Sequence, residues 1–92
     1  MDSAVKSLTV SIKSPNGLHA RPAAMIVRSL KPLDCDVSLH AQDMEANAKN
    51  ILEIMSMAAV HGTELEVKAR GSDAQQALNL LHDLFESGFG EH

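Results

Sequence analysis

The patterning of this chain predicts an α+β fold of order β-α-β-β-α-β-α: a four-stranded antiparallel sheet with three helices on one face. Three observations carry this reading. Leu8, Val10 and Ile12 alternate with Thr9, Ser11 and Lys13, and Leu65, Val67 and Ala69 alternate with Glu66, Lys68 and Arg70. A period of two marks strands with one buried and one wet face, the habit of antiparallel sheets. Ala20, Ala23, Ala24, Val27 and Leu30 recur instead at helical spacing, as do Ala74, Ala77, Leu78, Leu81 and Phe85. Between these runs stand breakers: Ser14-Pro15-Asn16-Gly17, Lys31-Pro32, His61-Gly62 and Gly71-Ser72. At 92 residues the chain has room for a single compact domain, 1–92.

Each element has its own justification. The first strand is expected over 5–13 and stops at the Pro-Asn-Gly break. The first helix is expected over 20–30. Pro22 suits its first turn, where a backbone N–H would lack an intrahelical partner. Lys31 precedes Pro32 and is pushed out of the helical region, which ends the helix. Strands over 36–40 and 44–47 form a hairpin through Ala41, Gln42 and Asp43. Asn50 is a good N-cap type for the second helix, whose core stripe is read as Ile51, Ile54, Met55 and Ala58. Leu52 lies about 100° from Ile51 around that helix and is surplus to the stripe. Leu52 and Met55 are then either ordinary core or an apolar patch for partners, where an adaptable Met suits more than one surface. The fourth strand covers the alternating run from Leu65 to Arg70. Ser72 with Gln75 reads as a capping box for the last helix. Gly88 and Gly90 mark its end and a short loose tail. The β-α-β start requires a right-handed crossover, and the fourth strand can lie between the first and second, as in split β-α-β folds.

Composition excludes several classes of function. Hydrophobic residues make up 45% and aromatics 2%, so the core is built from aliphatic side chains and Met. A net charge of −4 argues against a nucleic-acid binder, which would show a basic face, and the scarcity of aromatics removes a stacking platform for single strands. No apolar run approaches the roughly 18 residues of a membrane span, and the N-terminus is not a signal peptide, so no membrane insertion is expected. The single cysteine, Cys35, excludes an intrachain disulfide and fits a reducing cytoplasm; its alternation with Val37 and Leu39 reads as a buried strand thiol. No Cys-x-x-Cys pair exists, and His19, His40, His61 and His82 fall at equal intervals without short zinc-ligand spacing or matching flanks. Neither a metal nor a cofactor is expected.

The stretch Asn16-Gly17-Leu18-His19-Ala20-Arg21-Pro22-Ala23-Ala24 carries the chemistry. Asn-Gly is a strong turn signal because Gly tolerates positive φ. His19 therefore sits where a strand ends, a turn reverses the chain and a helix begins. The unpaired N–H groups and positive dipole end of that helix favour an anion, and Arg21 adds a permanent charge beside them. A nucleophilic imidazole, free helix N–H groups and a guanidinium suit a phosphoryl group. The plainer reading is an ordinary surface histidine beside a common turn.

Gly17-Leu18-His19-Ala20-Arg21-Pro22-Ala23 resembles the active-site signature of the histidine-containing phosphocarrier proteins, the HPr family. The resemblance spans essentially the whole chain and implies an open-faced β-sandwich with strand order 1-4-2-3. It implies a carrier, not an enzyme, that holds a phosphoryl group on Nδ1 of His19. The donor would be enzyme I of the bacterial phosphoenolpyruvate-dependent sugar phosphotransferase system, and the acceptor an EIIA domain. Arg21 matches the motif arginine that helps hold the phosphate, supported by the helix N-terminus at Ala20 and Arg21. Ala20, Met25, Leu52 and Met55 are the expected docking surface of a monomeric carrier. One position departs from the pattern: Asn50 stands where many relatives carry a regulatory serine. Asn caps a helix but accepts no phosphate, so no regulatory phosphoserine is expected; Ser56 is the only hydroxyl residue in that helix. The ending Leu84-Phe85-Glu86-Ser87-Gly88-Phe89 also resembles the nitrogen-branch paralogue, NPr. Two readings from other classes are a small acyl-phosphate hydrolase on a related fold, using Arg21 and an Asn such as Asn47, and a binding module in which His19 is incidental.

Overall fold

Alternating side chains make the sheet, and they do so in the computed structural model, which describes residues 4–91. Strands β1 (Lys6–Ser11), β2 (Asp36–Ala41), β3 (Met44–Asn47) and β4 (Glu64–Arg70) form one antiparallel sheet in the order β1-β4-β2-β3. The register places apolar residues opposite one another across the strands. Val10 faces Leu65, Leu39 faces both Val67 and Ala46, and Val37 faces Ala69. These side chains are buried beneath the helices, while Glu66, Arg70, Asp36 and Glu45 stand in solvent on the open face. The first strand is shorter than its pattern. Beyond Ser11 the pairing gives way to single bonds, Ile12 N–H to the Thr63 carbonyl at 2.9 Å and Gly62 N–H to the Ile12 carbonyl at 2.8 Å.

Helix α1 (Ala20–Leu30) has the expected bounds but a rotated stripe. Pro22, Ala23, Ile26 and Leu30 are buried, whereas Ala20 is exposed and Ala24 and Val27 are only partly covered. The larger Ile26 wins the inward position from smaller Ala24, as the greater apolar area favours. Helix α3 (Ala74–Glu86) buries Ala74, Ala77, Leu78, Leu81 and Phe85, as its spacing predicts.

Helix α2 (Ile51–Ser56) departs from its predicted stripe. Only Ile54 is buried within it, with Met57 following; Ile51 and Met55 are exposed, and Ala58 lies beyond the helix at φ +50°. Six residues are too few to sustain a stripe to position 58. The chain must also turn at Ala58 to bring Ala59 against the loop before α1. Asn50 does cap this helix, its side chain accepting from the N–H groups of Leu52 at 3.0 Å and Glu53 at 3.2 Å.

Two further expectations are corrected. The capping box at Ser72 and Gln75 does not form. Asp73 is the N-cap residue and makes no side-chain cap bond. Ser72 Oγ instead donates to Asp34, the Asp73 carboxylate accepts from Asp34 N–H at 2.7 Å, and Gln75 donates to Asn79. The competing partner is the loop before β2, which passes so close that a Cβ on Gly71 would lie 2.7 Å from the Cys35 Cα. Nor is the tail loose. Gly88–Gly90 form a 3-10 turn, and Phe89 is 1% exposed with its ring edge-on to Phe85, centroids 4.9 Å apart. Cys35 is buried, as expected, and burial pushes its thiol pKa up, Lys49 opposing only in part. Among the described residues no helix is long and apolar enough to cross a membrane.

Candidate functional site

The site begins with a turn that only glycine can make. Ser14 accepts a bond from Gly17 N–H at 3.1 Å, and its buried hydroxyl donates to the Gly17 carbonyl at 2.9 Å. Gly17 sits at φ +70°, and a Cβ there would lie 2.2 Å from the Ala59 carbonyl oxygen. That same oxygen accepts from Leu18 N–H at 3.0 Å. Leu18, buried, then pins the chain to the core one residue before His19.

His19 is the N-cap residue of α1, with extended backbone and no side-chain cap bond. Its carbonyl accepts from Ala23 N–H at 3.1 Å, so the helical ladder starts there. The N–H groups of Ala20 and Arg21 precede the ladder, and Pro22 has none to contribute. Pro22 and Ala23 are buried just beyond, so the backbone at His19 is fixed from both sides along the chain.

The ring itself is held by a residue far along the chain. Nε2 of His19 lies 2.8 Å and 3.0 Å from the two carboxylate oxygens of Glu91. Arg21 Nη1 donates to the Phe89 carbonyl at 2.8 Å and to Glu91 at 3.3 Å. Glu91 is thus bonded by both His19 and Arg21, and its carboxyl pKa is lowered, chiefly by the His19 hydrogen bond and against the effect of burial. Nδ1 of His19 has no hydrogen-bond partner among the described residues. The site therefore combines one engaged ring nitrogen and, among the described residues, one free ring nitrogen and two unpaired helix N–H groups, with a guanidinium that has donors to spare.

Of the residues singled out from sequence, the structure brings His19, Ala20 and Arg21 to one helix end. Leu52 is 73% exposed and Met55 41%, and α2 packs beside α1, whose Met25 is half-buried. Asn47 is elsewhere engaged: its side chain accepts from Lys49 N–H at 2.9 Å and its own N–H donates to Glu53. The pair a hydrolase would need, Arg21 and Asn47, is split between two bonding networks. Ser56 donates to the Leu52 carbonyl at 2.7 Å inside α2. Sequence reasoning missed Glu91 and its anchor Phe89. The available signal was that one of only two phenylalanines stood in a segment read as a tail.

Known proteins resemble this chain over most of its length. Residues 6–87 match the family described as the PTS HPr component phosphorylation site. The chain is 40% identical over 83 residues to Phosphocarrier protein HPr of Treponema pallidum, covering 90% of this chain and 94% of that one. The crystal structure of HPr-C-His from Thermoanaerobacter tengcongensis superposes with a TM-score of 0.89 at 38% identity, covering 95% and 98% of the two chains. An HPr dimer from the same organism superposes with a TM-score of 0.74, also at 38% identity, covering 94% and 99%. A turn-to-helix histidine with a phosphate-ready surround, on a sheet of order β1-β4-β2-β3, and a family match over most of the chain lead to one conclusion: this protein belongs to the HPr family, the phosphocarrier proteins of the phosphotransferase system.

Proposed function

We propose that His19 is the residue that carries the phosphoryl group, on Nδ1, taking it from enzyme I and passing it to an EIIA domain of the sugar branch. The observation that carries this reading is the division of labour on the ring: Nε2 is occupied by Glu91 while Nδ1 is free beside the start of α1. A phosphoryl group there meets the N–H groups of Ala20 and Arg21, the positive end of the helix dipole, and the Arg21 guanidinium. These offset charge without a metal, so the group is held yet remains transferable. Ala20, Met25, Leu52 and Met55 form the docking surface, supported by the exposure of Leu52 and Met55 beside α1. The carrier works as a cytoplasmic monomer in this reading. Asn50, a cap without a hydroxyl, leaves it outside serine-kinase control.

The test is incubation with phosphoenolpyruvate and enzyme I from the sugar or the nitrogen branch, read by intact mass. Wild type should gain one acid-labile phosphoryl group, faster with the sugar-branch donor. His19→Ala should gain none while keeping its fold by circular dichroism. Leu52→Glu should change stability by only about 0.5 kcal/mol or less, as exposed positions do, yet slow labelling by weakening docking. Undiminished labelling of His19→Ala overturns the assignment, and faster labelling by the nitrogen-branch donor moves the protein to that branch.

A further inference from the structure

We infer that Glu91 is a positioning residue that selects the ring tautomer of His19 and thereby the nitrogen that accepts the phosphoryl group. This deepens the reading of His19 just given and rests on it. A carboxylate offers only acceptors, so the ring nitrogen 2.8 Å and 3.0 Å from its two oxygens must carry the proton. In a neutral imidazole the other nitrogen then holds the lone pair. Glu91 therefore leaves Nδ1 nucleophilic and Nε2 blocked.

The carboxylate is aimed, not dangling. Phe89 is buried against Phe85, two residues before it. Arg21 ties the Phe89 carbonyl and the Glu91 carboxylate to α1. Gly88 and Gly90 both take positive φ, +62° and +73°, which lets the backbone fold the carboxylate back over His19. Glu91 stays ionised at neutral pH, since its carboxyl pKa is lowered.

The step balances simply. The Nδ1 lone pair forms the new P–N bond while the donor's bond to phosphorus breaks, its electron pair leaving with the donor. The Nε2 proton stays where it is, bonded to Glu91. Phosphorylation draws electron density from the ring and leaves positive charge at Nε2–H, which the facing carboxylate offsets. The same contact thus orients the ring before transfer and stabilises it afterwards.

The experiment is ring 15N NMR on wild type, Glu91→Gln and Glu91→Ala, before and after phosphorylation with the small donor phosphoramidate, and then transfer rates with enzyme I. Before phosphorylation, wild type should show the Nε2–H tautomer alone and Glu91→Ala a mixture of both. After it, wild type should carry phosphorus on Nδ1 alone, and Glu91→Ala should add a measurable Nε2 isomer. Transfer in Glu91→Ala should slow about 10-fold, the scale on which hydrogen-bond partners orient metal-bound imidazoles. Glu91→Gln keeps the shape but not the charge, and should fall between the two. Unchanged tautomer, isomer and rate in Glu91→Ala would overturn the inference. If wild type shows the tautomer difference but takes no phosphoryl group, the fault lies in the His19 assignment and not in the role of Glu91.

Discussion

Two segments grip His19, and they grip it differently. The front segment, 14–18, is fixed through its backbone: a buried serine, a glycine pressed on the Ala59 carbonyl, and a buried Leu18. The rear segment, 88–91, is fixed by one aromatic side chain, Phe89, and by the Arg21 bond to the Phe89 carbonyl, and it reaches the imidazole with a carboxylate. The front sets where the residue is; the rear sets how the ring is turned. A backbone grip is sensitive to any added atom, whereas an anchor-and-arm grip is sensitive to loss of the anchor and to the charge at its end.

That difference can be broken from either side. Phe89→Ala should have the largest effect, a loss of about 3 kcal/mol in urea unfolding, the lower end for a buried phenylalanine because the segment can settle into the gap. Amide exchange in 88–91 should rise while 14–18 stays protected. Equal loss of protection in both segments would show that they are one unit. Gly17→Ala should cost roughly 2 kcal/mol, from a left-handed backbone and the collision with Ala59. Here the protection pattern should reverse, with 14–18 loosened and Phe89 still packed on Phe85. The gentlest probe is pH. The folded carboxyl of Glu91 lies below its ordinary 4.5, so its contact with His19 is fully present above that value. It is lost as pH falls through the lower, folded value. Acidification should therefore free the Glu91 arm, read from its side-chain carbon shift, before it disturbs the amides of 14–18. Simultaneous change in both would merge the two grips.

The same contrast explains what the sequence disclosed. The front grip was legible because its devices are local: Asn16-Gly17 announces a turn, Pro22 a first helical turn, and Leu65-Val67-Ala69 a one-sided strand. Register and burial followed those patterns closely. The second helix was misread because Ile51 and Met55 look like core by spacing, while a helix of six residues can bury little more than Ile54. The supposed cap at Ser72 failed because Asp34, distant in sequence, claims that hydroxyl. Glu91 was illegible for a like reason. Nothing within a window around it names His19 as its partner; the packing of Phe89 on Phe85 and the Arg21 bonds to the Phe89 carbonyl and Glu91 bring the two together. The half of the site built from neighbours in the chain could be read, and the half built from long-range packing could not.

The bond from His19 to Glu91 also has a place in time. It joins positions 72 apart in the chain. At roughly 5–20 residues per second, a ribosome exposes His19 several seconds before it has made Glu91. During that interval the chain through Ala59, on which the turn closes, can be made, but the imidazole has no carboxylate to align it. A chain that has not yet reached Glu91 has His19 without the contact that turns its ring. Alignment of the His19 ring therefore waits on the synthesis of residue 91, however early the residues of the turn and α1 are made.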